Sequence, residues 1–130
     1  RESSHAIRYF AEIGQQVPLY ATSAGRALLS CLPDNQMDRM LDRTDFDRHA
    51  PDTLITADAV RQEISDSRDR GYFVNTNGYV PGLTGLAVPV TTGTSDLALL
   101  VAGPADRLAG REGELVAMMR AATSRLIAAD

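Results

Sequence analysis

Residues 83–103, LTGLAVPVTTGTSDLALLVAG, decide the fold of this chain. Two apolar runs, from Leu83 to Val90 and from Leu97 to Gly103, predict two strands, and Thr92-Gly93-Thr94 between them is typical of a turn. The link is short, which favours an antiparallel hairpin, because parallel strands need a much longer crossover. The stretch therefore predicts that the chain is built on an antiparallel sheet.

Strand and helix patterns surround this hairpin. Before the hairpin, the sequence first predicts a strand over residues 5–13 and a helix that Thr22 or Ser23 caps, with a packed stripe of Ala24, Ala27, Leu28, Cys31 and Leu32. Pro33 breaks this helix, and a short helix with Met37, Met40 and Leu41 on one side and a polar loop from Arg43 to Ile55 follow. A further helix runs from Thr56 or Asp58 to Arg70 and ends at Gly71, and it is followed by a strand from Tyr72 to Thr76 and the turn Asn77-Gly78; after the hairpin, the last helix packs through Leu115, Met118, Met119, Ala122 and Leu126. The order β-α-α-α-β-β-β-α indicates an α+β fold with its helices mainly on one side of the sheet.

Length and composition exclude several classes of protein. A chain of 130 residues has room for one domain, and it contains no apolar run long enough to span a membrane. The single cysteine, Cys31, excludes a disulfide framework and indicates a reducing, cytoplasmic compartment. The net charge is −4 and the arginines are scattered among more numerous carboxylates, so this part of the protein is not expected to bind DNA. Because the sequence opens with Arg1-Glu2-Ser3-Ser4 and has no initial methionine, we expect a piece of something longer.

Motifs for catalysis or metal binding are weak. There is no G-x-S-x-G elbow, P-loop or G-x-G-x-x-G, and neither His5 nor His49 has an evident nucleophile beside it. Cys31 falls on an apolar helix stripe, which is typical of a packing thiol. The best metal candidate is the acidic loop with Asp45, Asp47, His49 and Asp52, but it lacks the glycine and glutamate of a calcium loop. A solvated loop is favoured, and we expect no metal, no cofactor and no catalytic residue.

Two features suggest a small-ligand pocket. The turn Thr22-Ser23-Ala24-Gly25-Arg26 opens a helix with small residues. Its amide hydrogens and the positive end of the helix dipole could receive a carboxylate or phosphate. Capping of the helix by Thr22 or Ser23 is the simpler explanation of these residues. Arg26 could assist an anion, although a solvated arginine is the default for a first turn. A face of small side chains on the hairpin allows a ligand to approach or lets a helix pack closely: Gly85, Ala87, Ala98 and Ala102.

Three stretches together resemble the effector-binding domain of IclR-type bacterial transcription regulators. They are the segment PLYATSAGRALL at 18–29, the segment from Thr53 to Arg70-Gly71-Tyr72, and PGLTGLAVPV at 81–90 followed by Val101-Ala102-Gly103-Pro104. The first is similar to that family's P-L-H-A-T-x-x-G-K-A-L-L. The resemblance extends in order and spacing from about Glu2 to Leu126.

The resemblance implies a GAF-like curved antiparallel sheet whose flanking helices enclose a small metabolite. It implies that residues 1–130 form an effector-binding domain, and that the winged helix-turn-helix domain that binds operator DNA is absent from this chain. It also implies a homo-dimer or tetramer, and an opening helix and strand pair missing before Arg1, which would leave an exposed sheet edge.

Carried over by position, the resemblance implies eight ligand-binding residues: Ser23, Ala24, Gly25, Asn75, Leu83, Gly85, Leu100 and Ala102. The chain departs from the family pattern at Asn75, where an acidic residue is common, at Gly85, where a cysteine is common, and at Leu100 and Ala102, where serines occur. Fewer polar groups then remain to hold a very polar ligand. The sequence therefore predicts a small organic acid whose carboxylate lies at the Ser23–Gly25 turn and whose apolar or aromatic body lies against Leu83 and Leu100.

Three functions remain open. The first is the sensor and oligomerisation domain of a transcriptional regulator or repressor, without chemistry of its own and without a membrane partner. The second is an enzyme that acts on a small metabolite through the Asp45–Asp52 loop. The third is a domain kept only for assembly. The sequence does not identify the effector, the operator or the direction of regulation.

Overall fold

The computed structural model describes residues 12–129 and contains five helices and three strands in that range. The elements are α1 (Ser23–Leu29), α2 (Asp34–Asp42), α3 (Ala57–Arg70), β1 (Phe73–Thr76), β2 (Leu83–Thr91), β3 (Asp96–Pro104), α4 (Ala105–Leu108) and α5 (Glu112–Ala129). The α+β prediction is confirmed, with the one-turn helix α4 added. Residues 5–11 of the predicted first strand lie outside the described residues, and Glu12 and Ile13 are not in a strand.

The three strands form one antiparallel sheet in the order β1-β2-β3, and the predicted hairpin is confirmed. Directly opposite residues share a face of an antiparallel sheet. One row across the sheet consists of Asn75, Gly85 and Ala102, and the neighbouring row on the same face consists of Phe73, Ala87 and Leu100. The predicted face of small residues therefore exists, although Leu100 lies within it.

Both faces of the sheet are covered, so the expectation that the helices pack mainly on one side is wrong. Side chains of α1, α2 and α3 form one core with Phe73 and Ala87 of the sheet. Val116 and Met119 of α5 and Leu108 of α4 form a second core on the opposite face. Strand β2 is buried at five consecutive positions, from Thr84 to Val88, which only a sheet covered on both faces allows.

Helix α1 is shorter than predicted. It ends at Leu29, and Cys31 and Leu32 lie in the turn that follows. The prediction of a solvated Arg26 is wrong, because this side chain is only 2% exposed. The first helix thus packs a charged residue among apolar ones, and the surrounding elements provide the hydrogen-bond partners described below.

The packed stripe of α5 also differs from the prediction. Val116, Met119 and Thr123 are buried, whereas Met118 and Leu126 are 62% and 54% exposed. Val116, Met119 and Thr123 follow the spacing i, i+3, i+7, which is one narrow helix face. Because α5 carries apolar residues around a wider arc, the periodicity alone did not select the face that packs.

The ends of α3 follow the prediction closely. The Thr56 side chain accepts a hydrogen bond from Ala59 N at 3.1 Å and caps the helix. At the other end Gly71 has φ 95°, the left-handed conformation that glycine adopts most readily. Arg61 joins α3 to α2 through ion pairs of 2.7 Å with both Asp38 and Asp42. No helix in the range 12–129 is long and apolar enough to cross a membrane.

Candidate functional site

A cavity lies between the beginning of α1 and the first face of the sheet. It encloses about 70 Å³ and is partly open to solvent. Seven of the eight predicted ligand-binding residues line it, and the full lining is Val17, Thr22, Ser23, Ala24, Asn75, Tyr79, Val80, Leu83, Gly85, Leu100 and Ala102. The structure thus brings these seven positions together, whereas their role in ligand binding stays a prediction.

The floor of the cavity is the row Asn75, Gly85 and Ala102. A Cβ atom added to Gly85 would lie 2.8 Å from Ser23 Oγ and 3.4 Å from Leu100 Cδ1. The absent side chain of Gly85 therefore lets Ser23 of α1 approach the sheet. The helix packs closely on this floor, which is one of the two interpretations of the small residues. A cavity remains beside the helix, and the approach of a ligand stays a prediction.

Gly25 is the one predicted site residue that does not line the cavity. A Cβ atom there would lie 2.5 Å from Leu19 Cα, so glycine is needed for close passage of the backbone before the helix. Gly25 N donates to Thr22 Oγ1 at 3.0 Å, and Thr22 is the N-cap. The amide of Gly25 is thus already engaged in capping. The first bond of the helix runs from Arg26 N to Thr22 O, which leaves the earlier amides of Ser23 and Ala24 outside the helical ladder.

Arg26 is held behind the cavity floor by neutral acceptors. Its Nη1 donates to Tyr20 O at 3.0 Å, and its Nη2 donates to Val74 O at 3.1 Å and to Asn75 Oδ1 at 3.0 Å. Desolvation by burial lowers the pKa of Arg26 to about 10, and the field of Glu63 partly opposes this shift. Arg26 therefore remains charged at neutral pH. The hydrogen-bond acceptors of Arg26 belong to the chain before α1 and to β1. The helical pattern of α1 does not reveal them, and for this reason it predicted that Arg26 is exposed to solvent.

Asn75 connects this arginine with the cavity. Its Oδ1 accepts from Arg26, and its Nδ2 donates to Ala21 O at 2.8 Å. An amide nitrogen carries two hydrogens, so one donor of Asn75 remains after this bond. The side chain is fixed at both ends, and the residue lines the cavity.

The polar loop of residues 43–55 is fastened to the turn that lines the cavity. Tyr20 Oη accepts from Asp47 N at 2.8 Å and lies 3.0 Å from His49 Nε2. Thr53 Oγ1 accepts from His49 N at 3.0 Å and donates to Gly78 O at 2.7 Å, next to Tyr79 of the cavity wall. Neither Tyr20 nor Thr53 was predicted as an anchor, because their partners lie 27 and 25 residues away.

The acidic residues of this loop do not converge on one point. Among residues 12–129, no group of three or more histidine, cysteine, aspartate or glutamate side chains could hold a metal ion. Asp45, Asp47 and Asp52 are exposed, and their loop is held in place by Tyr20 and Thr53. The second candidate function, an enzyme using these carboxylates, therefore has no assembled metal site in the described part of the chain.

Sequence reasoning missed three apolar or aromatic residues of the cavity wall, Val17, Tyr79 and Val80. Val17 directly precedes Pro18, and Tyr79 and Val80 follow the Asn77-Gly78 turn. Asn77 has φ 57°, the left-handed conformation expected for such a turn. The sequence did contain a signal for Tyr79 and Val80. The turn that joins β1 to β2 must lie beside the ends of these two strands, and Asn75 is close to the end of β1.

Comparison with known proteins identifies the family. The family model described as bacterial transcriptional regulator IclR C-terminal matches residues 1–128. The chain belongs to this family. The HTH-type transcriptional repressor AllR of Klebsiella pneumoniae is 30% identical over 122 residues, which are 89% of this chain and 45% of AllR. The chain thus spans less than half the length of that repressor, and the relatives found are transcriptional regulators, not enzymes.

Solved structures of transcriptional regulators share the fold. A transcriptional regulator from Rhodococcus sp. RHA1 aligns with a TM-score of 0.90 at 27% identity, over 98% of this chain and 54% of that one. The inducer-binding domain of PobR from Acinetobacter, a double mutant in complex with 3-hydroxybenzoic acid, aligns with a TM-score of 0.78 at 21% identity, over 89% of this chain and 69% of that one. The second likeness concerns the fold alone. This chain is therefore a C-terminal domain of the IclR type.

Proposed function

We propose that this domain binds a small organic acid in the cavity between α1 and the sheet, and that occupancy modulates operator binding by a DNA-binding domain outside the chain. The observation that carries the proposal is the cavity itself, because residues far apart in sequence meet around one partly open space whose floor is kept free by Gly85. We further propose that the domain assembles as a homo-dimer or tetramer, as the resemblance implies, and that it works in the cytoplasm, as its single cysteine indicates. The eight predicted residues are proposed as the ligand contacts.

The dimensions of the cavity indicate how an acid would lie in it. About 70 Å³ is room for about two water molecules, whereas a closed cavity that holds benzene has about 150 Å³. The enclosed part therefore suits a carboxylate. A larger apolar body would extend through the open side, where Leu100 is 42% exposed and Leu83 is half-buried. The 3-hydroxybenzoic acid of the PobR complex is a molecule of this kind.

Coupling to DNA would follow from ligand-dependent stabilisation of one arrangement over another. The wall of the cavity includes Tyr79, and the adjacent Gly78 O accepts a bond from Thr53 of the polar loop. A ligand that contacts Tyr79 would therefore also stabilise the loop of residues 43–55. Such a change at the surface can alter contacts between subunits or with a DNA-binding domain.

Calorimetric titration of the purified domain with benzoate, 3-hydroxybenzoate, pyruvate and glyoxylate tests the proposal. We expect saturable binding of an aromatic acid, with the compound recovered unchanged by mass spectrometry. Tighter binding of pyruvate or glyoxylate than of both aromatic acids would contradict the proposed ligand class. Turnover of any of the four would favour the enzyme alternative, and a complete lack of binding would favour a domain kept for assembly.

A further inference from the structure

A second cavity lies where the chain before α1 meets the end of α2, and it shares no lining residue with the first cavity. It encloses about 250 Å³, and its lining consists of apolar and aromatic residues such as Leu29 and Met40, with Thr44 as the exception. The Thr44 hydroxyl donates to Met40 O at 2.7 Å, and the hydroxyl of Tyr20, another lining residue, accepts from Asp47 N. The second cavity therefore suits an apolar group, and it exceeds the roughly 150 Å³ that encloses benzene.

Unpaired positive charge lies beside the second cavity. The three aspartates of α2 all form ion pairs with arginines of α3. Arg39 and the C-cap residue Arg43 are exposed, and neither takes part in an ion pair found within residues 12–129. They lie one helical turn apart and border a surface depression with Met40, which also lines the second cavity. An apolar cavity and two available guanidinium groups thus form one continuous surface.

We propose that the second cavity, Arg39 and Arg43 together bind an acidic peptide segment of a partner protein. A leucine or phenylalanine of the segment enters the cavity, and carboxylates on either side of it pair with the two guanidinium groups. Charge complementarity favours this occupant, because the two arginines stand unpaired on a chain whose net charge is −4.

The positions of the two arginines favour a peptide over a small acid. Both arginines lie on the outer surface of α2, so a molecule must be extended to reach them while it also fills the cavity. A nucleic acid would supply negative charge but no aliphatic side chain. The inference does not depend on the proposed function, because it concerns a different cavity.

The test measures the binding of three fluorescein-labelled peptides to the 130-residue chain by fluorescence anisotropy, at about 50 mM NaCl to limit screening. The peptide SEDLFDES has carboxylates on both sides of a Leu-Phe pair. In SEDAADES alanines replace that pair, and in SQNLFNQS amides replace the carboxylates. We expect SEDLFDES to bind at least about tenfold more tightly than either of the others, because each of these lacks one half of the interaction.

Variants of the chain locate the binding surface. Arg39→Gln combined with Arg43→Gln should weaken the binding of SEDLFDES by about fivefold, as expected for the loss of exposed charge pairs. The matched control combines Arg111→Gln with Arg125→Gln, which makes the same change in net charge at exposed positions just before and within α5. We expect the control to stay within about twofold of the natural chain. Circular dichroism of each variant confirms the fold before titration.

Met40→Ala tests the apolar half of the surface. We expect it to weaken the binding of SEDLFDES by about threefold or more and to leave the weak binding of SEDAADES unchanged. Met40 is 43% exposed, so its truncation should not prevent folding.

Three results would overturn the inference. Equal affinity for SEDLFDES and SEDAADES would show that the second cavity takes no side chain, and unchanged affinity in the Arg39 and Arg43 double variant would show that these arginines do not contact the peptide. The third is an absence of peptide binding together with self-association, measured by sedimentation velocity, that the double variant weakens. In that case a second copy of the chain occupies this surface.

Discussion

Gly25 shows how a single residue decides whether α1 can begin where it does. The site of its missing side chain is occupied by the backbone of Leu19, which cannot move as a flexible side chain can. The conformation at Gly25 is helical, so the requirement is for space rather than for a left-handed φ. The resemblance implied a ligand role for this glycine, and the structure indicates a packing role that is independent of any ligand.

Gly25→Ala should therefore lower the free energy of unfolding by about 2–4 kcal/mol, because the added methyl group overlaps backbone atoms. Denaturant unfolding followed by circular dichroism measures the change. Gly113→Ala, in α5, is the control, because a Cβ there has nothing within 4 Å and should stabilise the domain by about 0.4–1 kcal/mol. Equal stability of the Gly25 variant and the natural domain would show that the loop before α1 can shift.

Gly85 differs from Gly25, since the atom that its side chain would meet is the Ser23 hydroxyl. We expect Gly85→Ala to cost about 1–2 kcal/mol, and we expect Ser23→Ala to relieve part of that cost when the two changes are combined. A double-mutant cycle in urea measures the coupling. Strictly additive effects would mean that Ser23 does not limit the space above the cavity floor.

At the scale of elements, α3 was predicted well because both of its ends carry strong local signals. A threonine before the first turn and a glycine after the last are sufficient to mark a helix, since their interactions are with residues three or four positions away. The packed side of α5 was predicted poorly because no local interaction distinguishes Met118 from Met119. Only contact with β2 makes that distinction.

Removal of the α3 cap tests how much the local signal contributes. Thr56→Ala should lower the free energy of unfolding by about 1 kcal/mol, because Ala59 N loses its side-chain acceptor. Thr56→Ser keeps the hydroxyl and should remain close to the natural domain. Chemical denaturation of both variants gives the comparison, and a Thr56→Ser variant as unstable as Thr56→Ala would indicate that the methyl group matters more than the cap.

For the whole molecule, Tyr20 links the chain before α1 with the polar loop. Its ring is buried, and its hydroxyl satisfies Asp47 N and lies beside His49. The Tyr20 and Phe46 rings also pack edge to face, with centroids 4.8 Å apart. The loop is thus held by Thr53 to Gly78, next to the cavity wall, although its composition predicted only a solvated segment.

Tyr20→Phe should destabilise the domain by about 1–3 kcal/mol, because Asp47 N loses its acceptor in a partly buried setting. Amide hydrogen exchange within residues 43–55 should also become faster than in the natural domain. Tyr79→Phe makes the same chemical change at a residue whose hydroxyl has no hydrogen bond in the described range, and we expect it to change exchange in the loop little. Unchanged exchange in Tyr20→Phe would mean that Thr53 alone holds the loop.

The sequence by itself determined the three strands of the described sheet, the helices α1, α2, α3 and α5, and their order, because capping residues, turn residues and strand alternation act over a few positions. It also determined the family, and with it the seven positions that meet around the cavity. Tertiary structure alone decided that Arg26 is buried, that helices cover both faces of the sheet, and that Tyr20 and Thr53 fasten the polar loop. These outcomes depend on partners more than twenty residues away. Arg26 is the clearest case, because an arginine on a helix is solvated or buried according to which carbonyl groups other elements bring to it.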